Sequence, residues 1–492
     1  MSDPNNTNQW KTLDKDLGRI NQVEVATQYI SRPLVGLGLS LVFIVLAGLA
    51  SMLFFGQQPT SFVVIAAAVF GAYMALNIGA NDVANNMGPA VGAKALTMGG
   101  AIAIAAVCES AGALLAGGDV VSTISKGIID PASVEDSRIF IWAMMAALVS
   151  AAMWVNLATY IGAPVSTTHS VVGGVMGAGI AAAGLGAVNW PTMGAIAASW
   201  VISPVLGGVI AAAFLAFIKA KIIYVDDKIA AARRWVPVLI GIMAAAFAAY
   251  LAMKGLKKII KIDILTALGI GAVAGLVFYA ISAPLIRRQS EGLENRNKSL
   301  KVLFSLPLVL SAGLLSFAHG ANDVANAVGP LAAIVHAAEF GASAGKVSIP
   351  LWVMVIGALG ISFGLFLFGP KLIRMVGSQI TKLNPMRAYC VALSAAITVI
   401  VASWLGLPVS STHIAVGAVF GVGFFREWHA ERRARNSNRQ KLAKPVAVEE
   451  RRRRKLVRRS HFMTIVAAWI ITVPASACLS AVAFFVLNTV GS

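Results

Sequence analysis

Apolar runs of about twenty residues, separated by short polar or basic stretches, recur from position 34 almost to the end of the chain. An α-helix of that length covers the roughly 30 Å of a bilayer's hydrocarbon. The pattern predicts segments at 34–55, 62–80, 98–117, 139–162, 164–183, 193–218, 236–253, 264–284, 303–320, 349–370, 388–406, 408–425 and 461–488. The expected class is an all-α polytopic membrane protein with about 12–13 membrane segments. The first 33 residues are polar, and the run after them is too long for a signal-peptide core, so no cleavage is expected.

Composition agrees. The chain is 58% hydrophobic and 12% charged, too little charge to cover a soluble surface. A net charge of +19 would suggest nucleic acid in a soluble protein, but the basic residues lie between apolar runs and report topology instead. Cys108, Cys390 and Cys478 sit in apolar segments at no metal spacing, so neither a disulfide nor a metal site is expected.

Two polar motifs interrupt this pattern, and each occurs twice. Gly79-Ala80-Asn81-Asp82-Val83-Ala84-Asn85-Asn86-Met87-Gly88-Pro89 returns 241 positions later as Gly320-Ala321-Asn322-Asp323-Val324-Ala325-Asn326-Ala327-Val328-Gly329-Pro330. Gly162-Ala163-Pro164-Val165-Ser166-Thr167-Thr168-His169 returns 244 positions later as Gly406-Leu407-Pro408-Val409-Ser410-Ser411-Thr412-His413. Two motifs repeated in one order at similar offsets mean duplication.

The positive-inside rule then orients the copies. If the segments at 164–183 and 408–425 both cross, 33 of the 40 Lys and Arg fall on one side; if both return, 24 do. The crossing arrangement separates the Asn-Asp motifs by an odd number of crossings and so predicts two inverted-topology repeats, with broken or half-length helices at the midplane. On this reading residues 1–33 form a cytoplasmic segment and 34–55 an extra helix. The first repeat is 60–218, 219–300 connects, and 301–488 is the second repeat with a basic cytoplasmic loop at 426–459. The C-terminus falls outside. The fourteen basic residues of that loop suit a solvated stretch near anionic lipid.

A carboxylate inside a membrane segment costs at least ~2.5 kcal/mol on insertion scales and so marks a functional site by default. Asn81, Asp82 and Asn85, with Asn322, Asp323 and Asn326, are the candidate cation-coupling residues. Asn86, matched by Ala327, reads as a bystander. Glu109 is a third intramembrane acid whose counterpart is apolar, with cation or proton handling its expected role. The Pro-Val-Ser stretches read as a break followed by a capped helix start. A helix starting inside the membrane offers free N–H groups and a positive dipole end, an anion site. Ser166, Thr167, Thr168, Ser410, Ser411 and Thr412 are therefore the candidate oxyanion donors. For His169 and His413, proton carriage, anion donation and plain core packing all remain open.

The motifs hold two carboxylates and no Lys or Arg. An anion seated among them would meet like charge, ~4 kcal/mol at 4 Å and an effective dielectric near 20. Cations, either Na⁺ or protons, must therefore enter with it. The doubled polar sets argue against an enzyme, which needs one asymmetric nucleophile–base pair.

These motifs resemble the signatures of the PiT family of inorganic phosphate transporters, above all Phe317-Ala318-His319-Gly320-Ala321-Asn322-Asp323-Val324-Ala325-Asn326-Ala327-Val328-Gly329-Pro330, and the similarity covers most of residues 60–490. The resemblance implies a cation-coupled phosphate symporter. Asp82 and Asp323 with their Asn neighbours would take the cations, the Ser and Thr helix starts would take phosphate, and Glu109 matches a family acid. Animal members commonly carry a second acid ahead of the later Pro-Val-Ser motif; the nearest position here is Ala392, so animal-like ion stoichiometry is not implied. Relatives that carry sulfate keep a small-oxyanion permease in view as the alternative, with a passive anion channel behind it. The expected setting is a bacterial inner membrane. No cofactor or nucleic-acid partner is expected, and a homodimer is left open.

Overall fold

The computed structural model describes residues 35–56, 60–134, 136–161, 165–255, 262–341, 349–379, 384–438 and 459–491. Apart from one isolated bridge between Ile129 and Val188, the regular structure among these residues is helical. The long helices are α1 (Val35–Phe55), α2 (Ser61–Gly92), α3 (Met98–Ala116), α4 (Ser137–Ile161), α5 (Thr167–Ala183), α6 (Trp190–Ile218), α7 (Lys228–Lys254) and α8 (Ile264–Gln289). They continue as a short α9 (Asn297–Leu303), α10 (Ser305–Asp323), α11 (Ala325–Phe340), α12 (Leu351–Gln379), α13 (Pro385–Trp404), α14 (Ser411–Asn438) and α15 (Arg459–Gly491).

Local chemistry sets many of the starts. Thr97, Asp227, Asp263 and Asn384 each accept from the backbone N–H three residues on, and Pro385 follows its cap at the position that tolerates a missing N–H. Beside Asp263, the Thr266 hydroxyl and N–H hold the exposed carboxyl below its usual range.

Ten of the described helices are long and apolar enough to cross a membrane, and α9 to α11, bent by 46° after Leu303, make an eleventh span. The other two predicted segments become α5, whose 17 residues rise only about 25 Å, and α14, which carries a basic end. Each predicted segment thus corresponds to a helix or bent span. On α8, Leu265, Leu268, Val273 and Leu276 all stay exposed, as suits a lipid-facing surface.

Several boundaries differ from the sequence expectation: the segment expected at 62–80 runs to Gly92, and the one expected at 303–320 continues to Phe340. The stretch after 117, expected as a connecting loop, folds as a short helix Gly118–Ser122 and a π-turn Thr123–Gly127, with Val120, Val121 and Ile124 buried. Polar residues, among them Asp119, Ser122, Thr123 and Lys126, interrupt its apolar run, but packing against α11 buries it. α12 runs past position 370 to Gln379, and α14 continues through the start of the expected 426–459 loop to Asn438. The rest of that loop up to 458, and the expected polar segment 1–33, lie outside the described residues.

The two halves pack by exchange. α2 lies along α12 while α10 lies along α3, and α5 lies along α15 while α14 lies along α6. Glycine permits the tightest contacts: a Cβ at Gly79 would stand 1.9 Å from the carbonyl oxygen of Ile361, and one at Gly320 2.1 Å from that of Glu109. Gly79 and Gly320 are motif equivalents, so Glu109 and Ile361 are equivalent too. One residue on, Ser110 and Ser362 touch each other, hydroxyl to hydroxyl at 2.7 Å. His169 and His413 likewise meet edge to face, with ring centroids 4.5 Å apart. Two pairs of equivalent positions thus touch each other, the arrangement that a two-fold relation between the halves produces.

Candidate functional site

The Pro-Val-Ser motifs do what their residues dictate. Ser166 takes extended dihedrals and accepts from the His169 N–H at 3.2 Å, starting α5, and Ser410 accepts from the His413 N–H at 3.3 Å, starting α14. The Asn-Asp motifs, in contrast, are not breaks. α2 runs unbroken through Asp82, and Val324 keeps helical dihedrals between α10 and α11. Sequence reasoning expected interruption at both motif pairs. The acids instead find hydroxyl donors on other helices and have no need to cap their own.

The two helix starts and the two acids meet. Thr167 donates to Asp82 Oδ2 at 3.1 Å, and Thr412, from the other half, donates to Asp82 Oδ1 at 2.9 Å. Ser411 donates to Asp323 Oδ2 at 3.1 Å. The asparagines link the hydroxyls across halves: Asn85 donates to Thr412 at 2.8 Å, and Asn326 to Thr168 at 3.1 Å. Asn322 donates to Ser403 and to the carbonyl of Leu407, and accepts from the Val409 N–H, so it pins the second break. Thr168 completes this by donating to the Val409 carbonyl at 3.0 Å. Asn81 is half-buried beside Asp82. His169 and His413 lie one residue beyond the hydroxyl clusters, with the His169 ring 3.8 Å from that of Trp200.

At the centre stands a residue that the sequence reading did not select. His319, fully buried on α10, has Nε2 3.0 Å from Asp323 Oδ2 and 3.8 Å from Asp82 Oδ2, and Nδ1 3.3 Å from Glu109 Oε1. One oxygen or nitrogen from each of Asp82, His319 and Asp323 lies within 4.8 Å of the others. With carboxylates at both ring nitrogens, the imidazole can donate to each side only when both nitrogens carry hydrogen. The available signal was its place one helical turn before Asp323, where the first copy has Ile78. Asn86, which the sequence reading set aside, touches this group: its amide donates to Glu109 Oε1 at 2.9 Å.

The electrostatic balance follows. Among the described residues, the buried charged side chains are Asp82, Glu109 and Asp323, and no Lys or Arg is buried with them. Glu109 Oε2, Asn86 Oδ1, Asp323 Oδ1 and Asn326 Oδ1 are buried without a hydrogen-bond partner among those residues. All four are acceptors, and a buried unpaired acceptor costs about 1–3 kcal/mol. The site therefore combines a surplus of oxygen acceptors, suited to a cation or proton, with two helix N-termini and a ring of hydroxyls, suited to a small oxyanion.

Comparison with known proteins identifies the family. The model of the Phosphate transporter family matches residues 78–480. A putative phosphate permease of Helicobacter pylori (strain J99) is 45% identical, covering 96% of this chain and 99% of its own. The chloroplastic inorganic phosphate transporter 2-1 of Arabidopsis thaliana is 36% identical, over 85% of this chain and 71% of its own. A solved structure titled the sodium-dependent phosphate transporter superposes with a TM-score of 0.78 at 35% identity, covering 87% of this chain and 100% of its own.

Proposed function

We propose that this chain, which belongs to the Phosphate transporter family, imports inorganic phosphate by symport with a cation, either Na⁺ or H⁺. The family match and the names of the relatives and of the superposed structure support phosphate as the cargo, and the superposed protein's title makes Na⁺ a natural cation. The observation that carries the coupling is the buried group of three carboxylates, two of which, Glu109 and Asp323, keep an unpaired oxygen, set against two helix starts without any Lys or Arg among the described residues. Phosphate taken up at Ser166, Thr167, Thr168, Ser410, Ser411 and Thr412 would meet that negative charge. Occupation of Asp82 and Asp323 by cations, assisted by Asn81, Asn85, Asn322, Asn326 and Glu109, removes the repulsion. His319, when it carries both ring hydrogens, offsets part of the charge but not three carboxylates.

The exchanged packing of equivalent helices and the odd number of crossings between the Asn-Asp motifs support two inverted repeats. Such a pair can open the shared site to either face in turn. The bias of basic residues favours the basic 426–459 stretch on the cytoplasmic side, and bacterial relatives such as the Helicobacter pylori permease support a bacterial inner membrane as the setting.

The test is labelled phosphate uptake into proteoliposomes under separately imposed Na⁺ and pH gradients. Accumulation above equilibrium with one gradient is expected. Uptake indifferent to both overturns the coupling, and competition by unlabelled sulfate as strong as by phosphate overturns the choice of oxyanion.

A further inference from the structure

One departure from the approximate two-fold symmetry of the site lies in the residues that fill two matching slots. Asn86 corresponds to Ala327 and His319 to Ile78 by the 241-residue offset. Glu109 corresponds to Ile361, because each presents its carbonyl to the equivalent glycine of the opposite half. One of two matching slots thus holds Asn86, Glu109 and His319, and the other holds Ala327, Ile361 and Ile78, all buried.

The three polar residues form a line that ends on the shared site. The Asn86 amide donates to Glu109 Oε1 at 2.9 Å. That oxygen faces His319 Nδ1 at 3.3 Å, and His319 Nε2 faces Asp323 Oδ2 at 3.0 Å, the oxygen to which Ser411 donates at 3.1 Å. Asp82, in the other half, is instead held by the hydroxyls of Thr167 and Thr412. The two acids are equivalent in sequence and unlike in surroundings.

We propose that Asn86 is a positioning residue for cation coupling: by fixing the Glu109 carboxylate against His319 it sets the placement of Asp323, so that the two acids serve unequal cation sites. The inference rests on the symport reading. Of the groups in this line, only Ser411, which donates to Asp323, belongs to the phosphate set. Asn86 should therefore govern the response to the cation and leave phosphate binding nearly untouched. With Ala at this position, as in the second copy, Glu109 Oε1 keeps only the imidazole and the carboxylate is free to turn its unpaired Oε2 inward.

The experiment compares the full-length protein with Asn86→Ala, Glu109→Gln and the double variant in proteoliposomes, with rates scaled to the monodisperse protein recovered. Phosphate uptake is measured against Na⁺ at fixed pH and against pH at fixed Na⁺. For Asn86→Ala the half-saturating concentration of the coupling ion should rise about tenfold, the scale of one lost hydrogen bond to a charged group, with the phosphate KM within about twofold. Glu109→Gln should shift the same constant, and adding Asn86→Ala to it should change nothing further. Equal shifts in both constants, additive effects in the double variant, or a loss of yield with both constants unchanged overturns the positioning role. Wild-type protein that fails to accumulate phosphate under either gradient overturns the symport reading and this inference with it. Wild-type accumulation with an unshifted Asn86→Ala overturns the inference alone.

Discussion

The hydroxyl of Thr412 donates to Asp82 Oδ1 at 2.9 Å while accepting from the Asn85 amide at 2.8 Å. A residue that opens a helix in the second half is thereby locked onto the acid of the first, with both hydrogen-bonding capacities in use. The site exists only while the halves are together.

Replacing Thr412 by Val keeps the shape and removes the hydroxyl, leaving an amide donor and a carboxylate oxygen unpaired in a buried place. Each loss is worth about 1–3 kcal/mol, so the phosphate KM should rise about tenfold or more. Thr412→Ser should recover most of it. Initial uptake rates across a phosphate series check both, and Thr412→Val with a wild-type KM would remove this residue from the site.

Asp82→Asn and Asp323→Asn keep the volume and delete one charge each. Gradient-driven accumulation should fall about a hundredfold in either variant, because a neutral amide no longer attracts the cation, whereas a channel would still pass the anion. Counting labelled phosphate inside vesicles with and without the imposed gradient separates these outcomes.

The close approach of α2 to α12 and of α10 to α3 makes two glycines indispensable. Gly79→Ala or Gly320→Ala would drive a methyl into a backbone carbonyl at about 2 Å, and relief requires the helices to separate. Small-to-large strain of this kind costs about 1–3 kcal/mol or more. A clear drop in melting temperature in detergent is expected, while Gly99→Ala, with nothing within 4 Å of the added carbon, should leave it unchanged.

Much of this could be read from residues alone. Hydropathy located the helices because the bilayer imposes one length, and Ser166 and Ser410 revealed helix starts because capping is local chemistry. The meeting of Asp82 and Asp323 with both hydroxyl clusters was suggested by duplication. His319 and Asn86 were missed for a common reason: their partner, Glu109, is on a helix whose register against α2 and α10 is set by glycine contacts far apart in sequence. The burial of Val120, Val121 and Ile124 was hidden likewise, since it depends on α11.

The extended stretch between α13 and α14 gives the last prediction. Four of its carbonyls, and that of Trp404 at the end of α13, accept from five elements: Trp404 from Lys254 at 3.2 Å, Gly406 from Thr123 at 2.7 Å, Leu407 from Asn322 at 3.1 Å, Pro408 from Trp200 at 3.0 Å and Val409 from Thr168 at 3.0 Å. Gly406, at φ 70°, makes the turn that aims these carbonyls outward. Lys254 is also paired with the Asp119 carboxylate, which is half exposed. An exposed pair contributes about 0–1 kcal/mol, so Asp119→Asn should move the phosphate KM by no more than about threefold. Thr123→Val leaves a half-buried carbonyl without its donor and loosens the turn that presents Ser410, Ser411 and Thr412. Here the KM should rise about tenfold, with the cation constant following only in part. Uptake by the two variants in one vesicle preparation settles the ranking; an Asp119→Asn effect larger than that of Thr123→Val would show that charge, not the hydroxyl contact, holds the break in place.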